Sequence, residues 1–396
     1  MQVVLFDDAN WRQRTYPLTL TRPVSNLRVG ILTINEKWEK WLSAEVSYLT
    51  IEYLREKFPL NTLKEDVLII RGDILPNKEL VDALTDLKPG DALVGKEGFI
   101  AAKENSSFIK GFVPSQLKDF KPVYYQSTLS SIEYPEDIFL KNGEEIIKDF
   151  ELITKGRTSG TLSSTNTIFG DQIFIEEGAS IEGSIINAQK GPIYLGRSSD
   201  IWEGCMVRGP FSLGEGSQLK MGTKVYSNVS IGPYSRMGGE LNTCVVWGNS
   251  AKGHDGYLGS SVLGEWCNWG AGSNSSNMKN NYKNVRLFNY ETGAYRETNQ
   301  GFCGLIMADH SKCSINSTFN TGTVVGVSAN IHGVGLLPTF IPDFSWGGPS
   351  GFSDYDLEKM KETAELVFER RNRKFDEIEK RICHSVFEMT KDKRNF

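Results

Sequence analysis

The stretch Trp247–Val285 contains His254, one of four histidines in the chain, and it is rich in Gly, Asn and Ser. A histidine side chain titrates near neutral pH, so it can take a proton from a reacting group under physiological conditions. A lone histidine on a loop is more often simply solvated. Composition alone therefore leaves both interpretations of His254 open.

A second group of candidate residues lies near the N-terminus, where Arg12, Arg14, Arg22 and Arg28 occur close together. Guanidinium groups match phosphate oxygens well, so such a stretch could hold a nucleotide through side chains. The same arginines could instead pair with acidic residues of this chain or face solvent.

The overall composition predicts a cytoplasmic protein with two domains. The chain has 396 residues, and its net charge of −5 from interspersed charges favours neither a nucleic-acid nor a membrane partner. The six cysteines stand far apart, which fits reduced thiols better than a disulfide framework or a metal site. We find no signal peptide and no apolar run that would span a bilayer.

Residues 1–155 are expected to form an α/β domain, because short apolar runs alternate with amphipathic segments. We predict buried strands at Val3–Phe6 and Val67–Ile70, a hairpin from Ala92–Gly95 and Phe99–Ala102, and helical segments at Leu49–Phe58 and Asn77–Leu84. The change to a Gly-, Ser- and Thr-rich texture near Asp149–Asn166 marks the predicted end of this domain.

Residues 156–350 follow a six-residue period. Every sixth residue from Leu195 to Met237 is apolar, the period resumes at Leu263 and Trp269, and it returns from Met307 to Leu337. This pattern predicts a parallel β-helix, in which each hexad sends one apolar side chain into the interior. A sandwich of short strands is the alternative, but it would show a period of two. Because the period is interrupted around His254, we expect an extruded loop there.

Residues 351–396 are predicted to form one terminal helix, with apolar residues at helical spacing from Leu357 to Met389. Ser353, Asp354 and Asp356 are candidates for its N-terminal cap. We expect this helix to cover an open end of the β-helix or to contact another subunit.

The hexads resemble those of left-handed β-helix acyltransferases, and the segment around His254 resembles one family in particular. That family comprises the bifunctional N-acetylglucosamine-1-phosphate uridyltransferases/glucosamine-1-phosphate acetyltransferases. The motif residues are His254, Tyr257-Leu258-Gly259, Asn268-Trp269-Gly270-Ala271-Gly272, Asn277 and Lys283. The likeness is good over residues 160–340 and weaker outside them.

The resemblance implies an acetyl transfer from acetyl-CoA to the amine of a sugar phosphate. His254 would be the general base, Tyr257, Asn277 and Lys283 would bind the sugar phosphate, and Asn268 would orient the amine. Gly270, Ala271 and Gly272 would let the acetyl-CoA arm approach the backbone. By the same resemblance, across a gap in the match, Lys220 corresponds to a basic phosphate ligand. Two departures would alter the sugar pocket, namely Asp255-Gly256 beside the histidine and Asn277-Met278-Lys279-Asn280 after the coil.

The N-terminal stretch resembles the Gly-rich opening of sugar nucleotidyltransferases, in a variant form. The matching residues are Arg14, Pro17, Leu18, Thr19, Pro23, Leu27 and Val29. Asn10 and Arg12 replace two glycines, and Val24 replaces the lysine, so Arg12 and Arg14 become the candidate nucleotide ligands. By the same resemblance, Asp73 in Leu68–Pro76 is the candidate ligand of a catalytic Mg²⁺.

Three functions from different classes follow. The first is a sugar-phosphate acyltransferase, with or without nucleotidyl transfer. The second is a sugar-1-phosphate nucleotidyltransferase whose β-helix serves only assembly. The third is a regulator that binds nucleotide sugars without turnover. We also expect a homotrimer, because the faces of the β-helix have outward positions with little charge and the extruded loop would reach a neighbouring subunit.

Overall fold

The computed structural model describes residues 2–9, 11–61, 66–105 and 120–396, and the chain divides into two compact units. The N-terminal unit comprises residues 1–15, 22–27 and 32–133. The β-helix unit comprises residues 16–21, 28–31 and 134–396. Of the residues singled out by sequence, Asn10 lies outside the described residues.

The N-terminal unit contains one mixed sheet with the strand order β2-β1-β3-β5-β4-β6 in its described part. Its strands are β1 (Gln2–Phe6), β2 (Val46–Leu49), β3 (Asp66–Arg71), β4 (Asp91–Gly95), β5 (Gly98–Asn105) and β6 (Lys121–Tyr124). Strand β1 pairs in parallel with β2 and β3, and β5 runs antiparallel to β3 and β4. The predicted strands and hairpin are therefore confirmed.

The helices of this unit are α1 (Ile34–Leu42) and α2 (Lys78–Thr85), with 3₁₀ turns at Trp11–Thr15, Val24–Asn26 and Glu52–Leu54. Helix α2 confirms the second predicted helical segment, and the Asn77 side chain caps it by accepting a hydrogen bond from the Leu80 N–H. The helix predicted at Leu49–Phe58 is wrong. Leu49 ends strand β2 in register with Phe6, so sheet pairing overrides the helical pattern there.

The β-helix unit is a solenoid of short parallel strands on three faces. The first face holds β7 (Thr167–Phe169), β10 (Ile185–Asn187), β13 (Met206–Arg208), β16 (Lys224–Val225), the first halves of β19 (Glu240–Gly248) and β21 (Tyr257–Glu265), β23 (Asn274–Ser275) and β28 (Thr318–Phe319). The second face holds β8 (Ile173–Ile175), β11 (Ile193–Leu195), β14 (Phe211–Leu213), β17 (Val229–Ile231), the second halves of β19 and β21, β26 (Leu305–Met307), β29 (Thr323–Val325) and β31 (Phe340–Ile341). The third face holds β9 (Ser180–Ile181), β12 (Asp200–Ile201), β15 (Gln218–Leu219), β18 (Arg236–Met237), β20 (Ala251–Lys252), β22 (Asn268–Trp269), β27 (Lys312–Cys313), β30 (Asn330–Ile331) and β32 (Ser345–Gly348), to which β33 (Gly351–Asp354) pairs antiparallel.

The interior of the solenoid is formed by the residues of the six-residue period. Every sixth residue from Leu195 to Met237, and every sixth residue from Met307 to Leu337, is buried in one apolar cluster with Leu263 and Trp269. The pairing register stacks them directly, as in Ile201↔Leu219 and Leu219↔Met237 on the third face. The predicted β-helix fold is therefore confirmed.

The interruption of the period has a different cause from the one expected. Residues 247–275 are not an extruded loop, because they form strands and turns of the solenoid itself. Leu219 and Val225 lie six residues apart, whereas their stacked partners Met237 and Leu241 lie only four apart, so this corner is two residues shorter. The segment that leaves the solenoid comes later, at residues 276–304, and contains the hairpin β24 (Arg286–Asn289) and β25 (Ala294–Glu297).

Three helices complete the β-helix unit: α3 (Pro135–Thr154), α4 (Leu357–Glu369) and α5 (Glu377–Met389), followed by a 3₁₀ turn at Lys391–Lys393. Helix α3 packs on the second face, where Asn142 accepts a hydrogen bond from the Ser230 hydroxyl and donates one to the Asn228 carbonyl. Within the described residues, no helix is long and apolar enough to cross a bilayer. None of the six cysteines, all of which are described and buried, forms a disulfide.

The prediction of one terminal helix is wrong, because the segment breaks into α4 and α5. Asn372 between them adopts a left-handed backbone with φ of 53°, which no α-helix continues through. Each helix has its own aspartate cap, Asp356 for α4 and Asp376 for α5. Of the three predicted cap residues only Asp356 has that role, since Ser353 and Asp354 belong to strand β33.

The free energy of unfolding should depend on pH through Asp343 of the β-helix unit. Its buried carboxylate accepts hydrogen bonds from the Val327 N–H at 2.6 Å and the Tyr290 hydroxyl at 2.9 Å. Burial raises the pKa of Asp343 from 3.8 to about 6. The unfolded chain thus loses this proton at lower pH than the folded chain, so the contribution to stability falls as pH rises from about 4 to 6.

We therefore expect Asp343→Asn to remove this pH dependence, because an amide accepts and donates in the same place without titrating. The free energy of unfolding of the variant, relative to wild type, should rise by roughly 3 kcal/mol between pH 4 and pH 7. Urea unfolding at several pH values measures this difference, with Asp171→Asn at an exposed turn as the control. Stability curves that stay parallel over this range would contradict the assignment.

Candidate functional site

The candidate acyltransferase residues cluster at one corner of the β-helix, where the chain turns from the third face to the first. We name this edge the site corner. It includes, on successive coils, residues 220–223, 238–239, 253–256, 270–273 and 314–317. His254 lies in the third of these turns and its side chain is exposed.

The turn that carries His254 is held between its neighbours by backbone hydrogen bonds. The Gly238 N–H donates to the Lys252 carbonyl at 2.6 Å on one side, and the Gly272 N–H donates to the Asp255 carbonyl at 3.1 Å on the other. The run Gly270-Ala271-Gly272 therefore stacks on the next coil from His254. The sequence predicts His254 and the Gly270–Gly272 run in one site, and the fold brings the two together on adjacent coils.

Two glycines of the site corner, Gly256 and Gly270, are required by this stacking. A Cβ on Gly256 would lie 1.9 Å from the Ser273 carbonyl oxygen, and one on Gly270 would lie 2.3 Å from the Ser314 carbonyl carbon. Gly256 also has a φ of 127°, which side chains rarely adopt. The glycine character of these positions thus has a structural cause that is independent of any bound arm of acetyl-CoA.

Tyr257 and Asn277 form a polar group on the first face, where Tyr257 directly follows the His254 turn and Asn277 follows strand β23. The Asn277 amide donates to the Tyr257 hydroxyl at 3.0 Å and to the Ser260 hydroxyl at 3.3 Å. Burial raises the pKa of Tyr257, so its hydroxyl stays protonated and can donate a hydrogen bond. Asn274 accepts a hydrogen bond from the Tyr257 N–H at 2.9 Å and ties the strand to the following coil.

Three other predicted residues lie away from the turn that carries His254. Asn268 is exposed on the third face, one coil after Ala251, and Lys283 is exposed on the segment that leaves the solenoid. Lys220 lies two coils before the His254 turn, a distance of roughly 10 Å along the axis. Its ammonium bonds the Gln218 side chain at 3.0 Å and lies 3.8 Å from the centre of the Trp202 ring, toward the coil farther from His254.

Sequence reasoning missed Lys252, which lies beneath the His254 turn. Its side chain is 1 % exposed and donates to the carbonyls of Gly238 at 2.8 Å and His254 at 3.0 Å. Burial lowers the pKa of Lys252 to about 8. The sequence held a signal for it, since Val246, Lys252 and Leu258 are spaced six apart, which marks Lys252 as the centre of a hexad.

The N-terminal unit has a separate cleft of about 440 Å³ at the carboxyl end of strand β3. It is lined by Trp11, Arg14, Arg71, Asp73, Glu97, Ser131, Ile132 and Glu133. Open α/β sheets commonly bind ligands at the carboxyl ends of their parallel strands. The predicted residues Arg14 and Asp73 both line this cleft, whereas Arg71, Glu97 and Glu133 were missed by sequence.

The charges in this cleft are arranged as pairs. Arg71 contacts Asp73 at 2.7 Å, and Arg14 contacts Glu133 at 2.7 Å. Burial raises the pKa of Asp73, although the Arg71 guanidinium opposes that shift. No group of three or more His, Cys, Asp or Glu among the described residues could hold a metal ion. With Asp73 bound to an arginine, these side chains do not fit a preformed Mg²⁺ site.

Arg12 lies elsewhere in the N-terminal unit and is fully buried. Its guanidinium contacts the buried Asp7 at 3.3 Å and donates to the Arg22 carbonyl at 3.0 Å. Asp7 also accepts a hydrogen bond from the Thr50 hydroxyl at 2.8 Å, so the pair belongs to a buried polar network. This burial argues against direct nucleotide binding by Arg12.

Comparison with known proteins agrees with the resemblance that the sequence predicts. Residues 3–158 match the sugar nucleotidyl transferase family. The chain is 26 % identical to Bifunctional protein GlmU from Wigglesworthia glossinidia brevipalpis over 196 residues. This match covers 48 % of this chain and 35 % of the relative. The chain thus spans about a third of the length of the curated relative that it matches. These names are those of transferases, which is the predicted enzyme class.

Two solved structures show more distant similarity. One is a UDP-N-acetylglucosamine acyltransferase from Arabidopsis, with 13 % identity and a TM-score of 0.33. This match covers 52 % of this chain and 79 % of that chain. The other is a UDP-N-acetylglucosamine acyltransferase from Campylobacter jejuni, with 12 % identity, 57 % and 95 % covered, and a TM-score of 0.18.

Proposed function

We propose that this chain is an acyltransferase that moves the acetyl group of acetyl-CoA to the amine of an amino-sugar 1-phosphate. The observation behind this proposal is that the stacked turns of the site corner hold His254 next to the Gly270–Gly272 turn. Tyr257 and Asn277 are hydrogen-bonded to each other at the start of the adjoining strand. Residues from separate stretches of sequence thus meet on adjacent coils.

The proposed reaction makes one C–N bond and breaks one C–S bond. The sugar amine attacks the thioester carbonyl, His254 accepts the proton that the amine loses, and CoA leaves as the thiol after taking up a proton. Tyr257 and Asn277 present a hydroxyl and an amide to the sugar. Asn268 orients the amine, and the exposed Lys283 neutralises the phosphate. Lys220 has no role in this proposal, because its ammonium is placed on Trp202.

A second function is proposed for the cleft of the N-terminal unit, namely binding of a nucleoside triphosphate or a nucleotide sugar. Arg14 and Arg71 are the observation that favours it, since both guanidinium groups border one cleft and each contacts a carboxylate that lines it. Phosphate oxygens can replace those carboxylates.

The proposal includes a homotrimer. Because His254 lies in a turn of the solenoid and not on an extruded loop, the surface that favours assembly is the first face of the β-helix. Phe169, Ile185 and Met206 are 42–45 % exposed on this face, and Tyr226 is 49 % exposed beside them. Together with Arg208 and Lys224, several of these side chains line a shallow groove of about 420 Å³. A second copy of the chain would cover this apolar surface. Location in the cytoplasm stays a prediction.

His254→Ala should lower the rate of CoA release with glucosamine 1-phosphate by about 10²–10⁴-fold, because the general base is lost. His384→Ala, at an exposed position of helix α5, is the matched control and should keep the wild-type rate. Undiminished acetyl transfer by folded His254→Ala would refute the proposed role.

Arg14→Gln should weaken binding of UTP or dTTP by about tenfold, because one charge-assisted contact to phosphate is lost. Isothermal titration calorimetry measures this effect, and Arg55→Gln on the exposed Ile51–Phe58 segment serves as the control. Equal affinity of both variants, or no nucleotide binding by wild type with and without Mg²⁺, would rule out a nucleotide site in this cleft.

Sedimentation equilibrium should give a mass about three times the 44.3 kDa of one chain. Met206→Glu should shift the protein toward monomer, because a charge would be buried at the proposed interface. Met221→Glu, at an exposed position of the site corner, should leave the mass unchanged. A monomeric wild type with full acetyl transfer would contradict the trimer.

A further inference from the structure

Lys252 interrupts the apolar interior of the β-helix on its third face. It pairs in register with Met237 on the coil before it, and Trp269 occupies the equivalent position on the coil after it. The interior positions before and after these, Leu219 and Cys313, are also uncharged. Burying a lysine in such a ladder is unfavourable unless its ammonium group is well bonded.

The ammonium of Lys252 is bonded to the backbone of the site corner. It donates to the Gly238 carbonyl at 2.8 Å and to the carbonyl of His254 itself at 3.0 Å. A Cβ on Gly239 would lie 2.8 Å from the Lys252 nitrogen, so the shortened Gly238-Gly239 corner provides the space that the ammonium occupies. The charged group therefore links the short corner to the turn that carries His254.

We propose that Lys252 is a positioning residue that fixes the turn carrying His254 for proton transfer. This inference rests on the proposed acetyl transfer. The His254 side chain is exposed and its turn is supported from within the solenoid by Lys252, so loss of the ammonium would free the turn on its inner side. The catalytic contact stays with His254, because Lys252 is buried and acts through the backbone.

The hydrogen bond from Lys252 to the His254 carbonyl is strongest when Lys252 is charged. The position of the His254 turn should therefore depend on pH. Burial lowers the pKa of Lys252 to about 8, while Cys244, Asp255 and Cys313 around it oppose that shift. Below this pH the ammonium makes charge-assisted hydrogen bonds, and above it the neutral amine makes weaker ones. Acetyl transfer should therefore decline as the pH rises above 8.

The chain offers a control in Lys312, which precedes Cys313 in strand β27 of the third face. Burial also lowers the pKa of Lys312 to about 8, but its ammonium donates to the His310 carbonyl, away from the His254 turn. Lys252→Met places the residue type of the preceding coil at position 252. Lys312→Met removes a half-buried lysine elsewhere in the same β-helix.

Amide hydrogen exchange tests the inference without any assay of activity. The turn is held through its carbonyls, to which the N–H groups of Gly238, Glu240 and Gly272 donate. Exchange at these three amides, corrected for intrinsic rates, should become about 10- to 100-fold faster in Lys252→Met at pH 7. It should stay at the wild-type rate in Lys312→Met, and residues 314–317 should be unaffected in Lys252→Met. Wild-type exchange rates at the three amides in folded Lys252→Met would overturn the inference.

Kinetics test the functional half. For Lys252→Met we expect kcat to fall at least tenfold with the KM for acetyl-CoA within about twofold, and the decline above pH 8 to disappear. Lys252→Arg keeps a charge at every accessible pH, so it should retain activity without that decline. An alkaline decline that persists in both Lys252 variants would overturn the positioning role. Wild type without acetyl transfer would refute the proposed function, and the exchange measurement would still decide whether Lys252 holds the turn.

Discussion

The stacking of one coil on the next governs the β-helix unit. Each coil must place its inward side chain directly over that of the coil before it, as Leu219 lies over Ile201 and Met237 over Leu219. Parallel backbone hydrogen bonds and apolar burial act together at every step, so a change in one coil is felt by both neighbours. This constraint explains why Gly256 and Gly270 have no side chain, because the next coil occupies that space.

The candidate site lies where the β-helix departs from its own repeat. The corner at Gly238–Gly239 is two residues short, the interior position at 252 holds a lysine, and residues 276–304 leave the solenoid after strand β23, on the coil that follows the His254 turn. Each departure costs packing that an uninterrupted repeat would provide. Proteins keep such departures mainly at functional positions, and all three surround the turn of His254.

Much of the fold could be predicted from the sequence, because the six-residue period is imposed by burial and burial leaves a direct trace in residue type. The location of His254 within the coils could not. A broken period looks the same whether residues are added or removed, and here the break begins with a shortened corner at Met237–Leu241. The sequence predicts one terminal helix where there are two for a similar reason, since the apolar spacing continues across Asn372 although its backbone is left-handed.

The candidate sites were predictable where a motif is continuous in sequence, and less so where distant residues decide. His254, Tyr257 and Gly270–Gly272 are brought onto adjacent coils by regular stacking. Arg12 has the charge of a phosphate ligand, but its buried partner Asp7 becomes apparent only when the end of strand β1 meets the following turn. Arg71 had no motif to mark it, and it is recognised only by its contact with Asp73 in the cleft.

The central claim is that the site corner transfers an acetyl group to a sugar amine, and isotope transfer tests it most directly. Wild-type protein would be incubated with acetyl-CoA labelled with ¹³C in the acetyl group and with a panel of amino-sugar 1-phosphates, and the products identified by mass spectrometry. The account predicts one labelled N-acetyl sugar phosphate for each CoA released. Folded protein that transfers no label to any amino-sugar phosphate in the panel would contradict it.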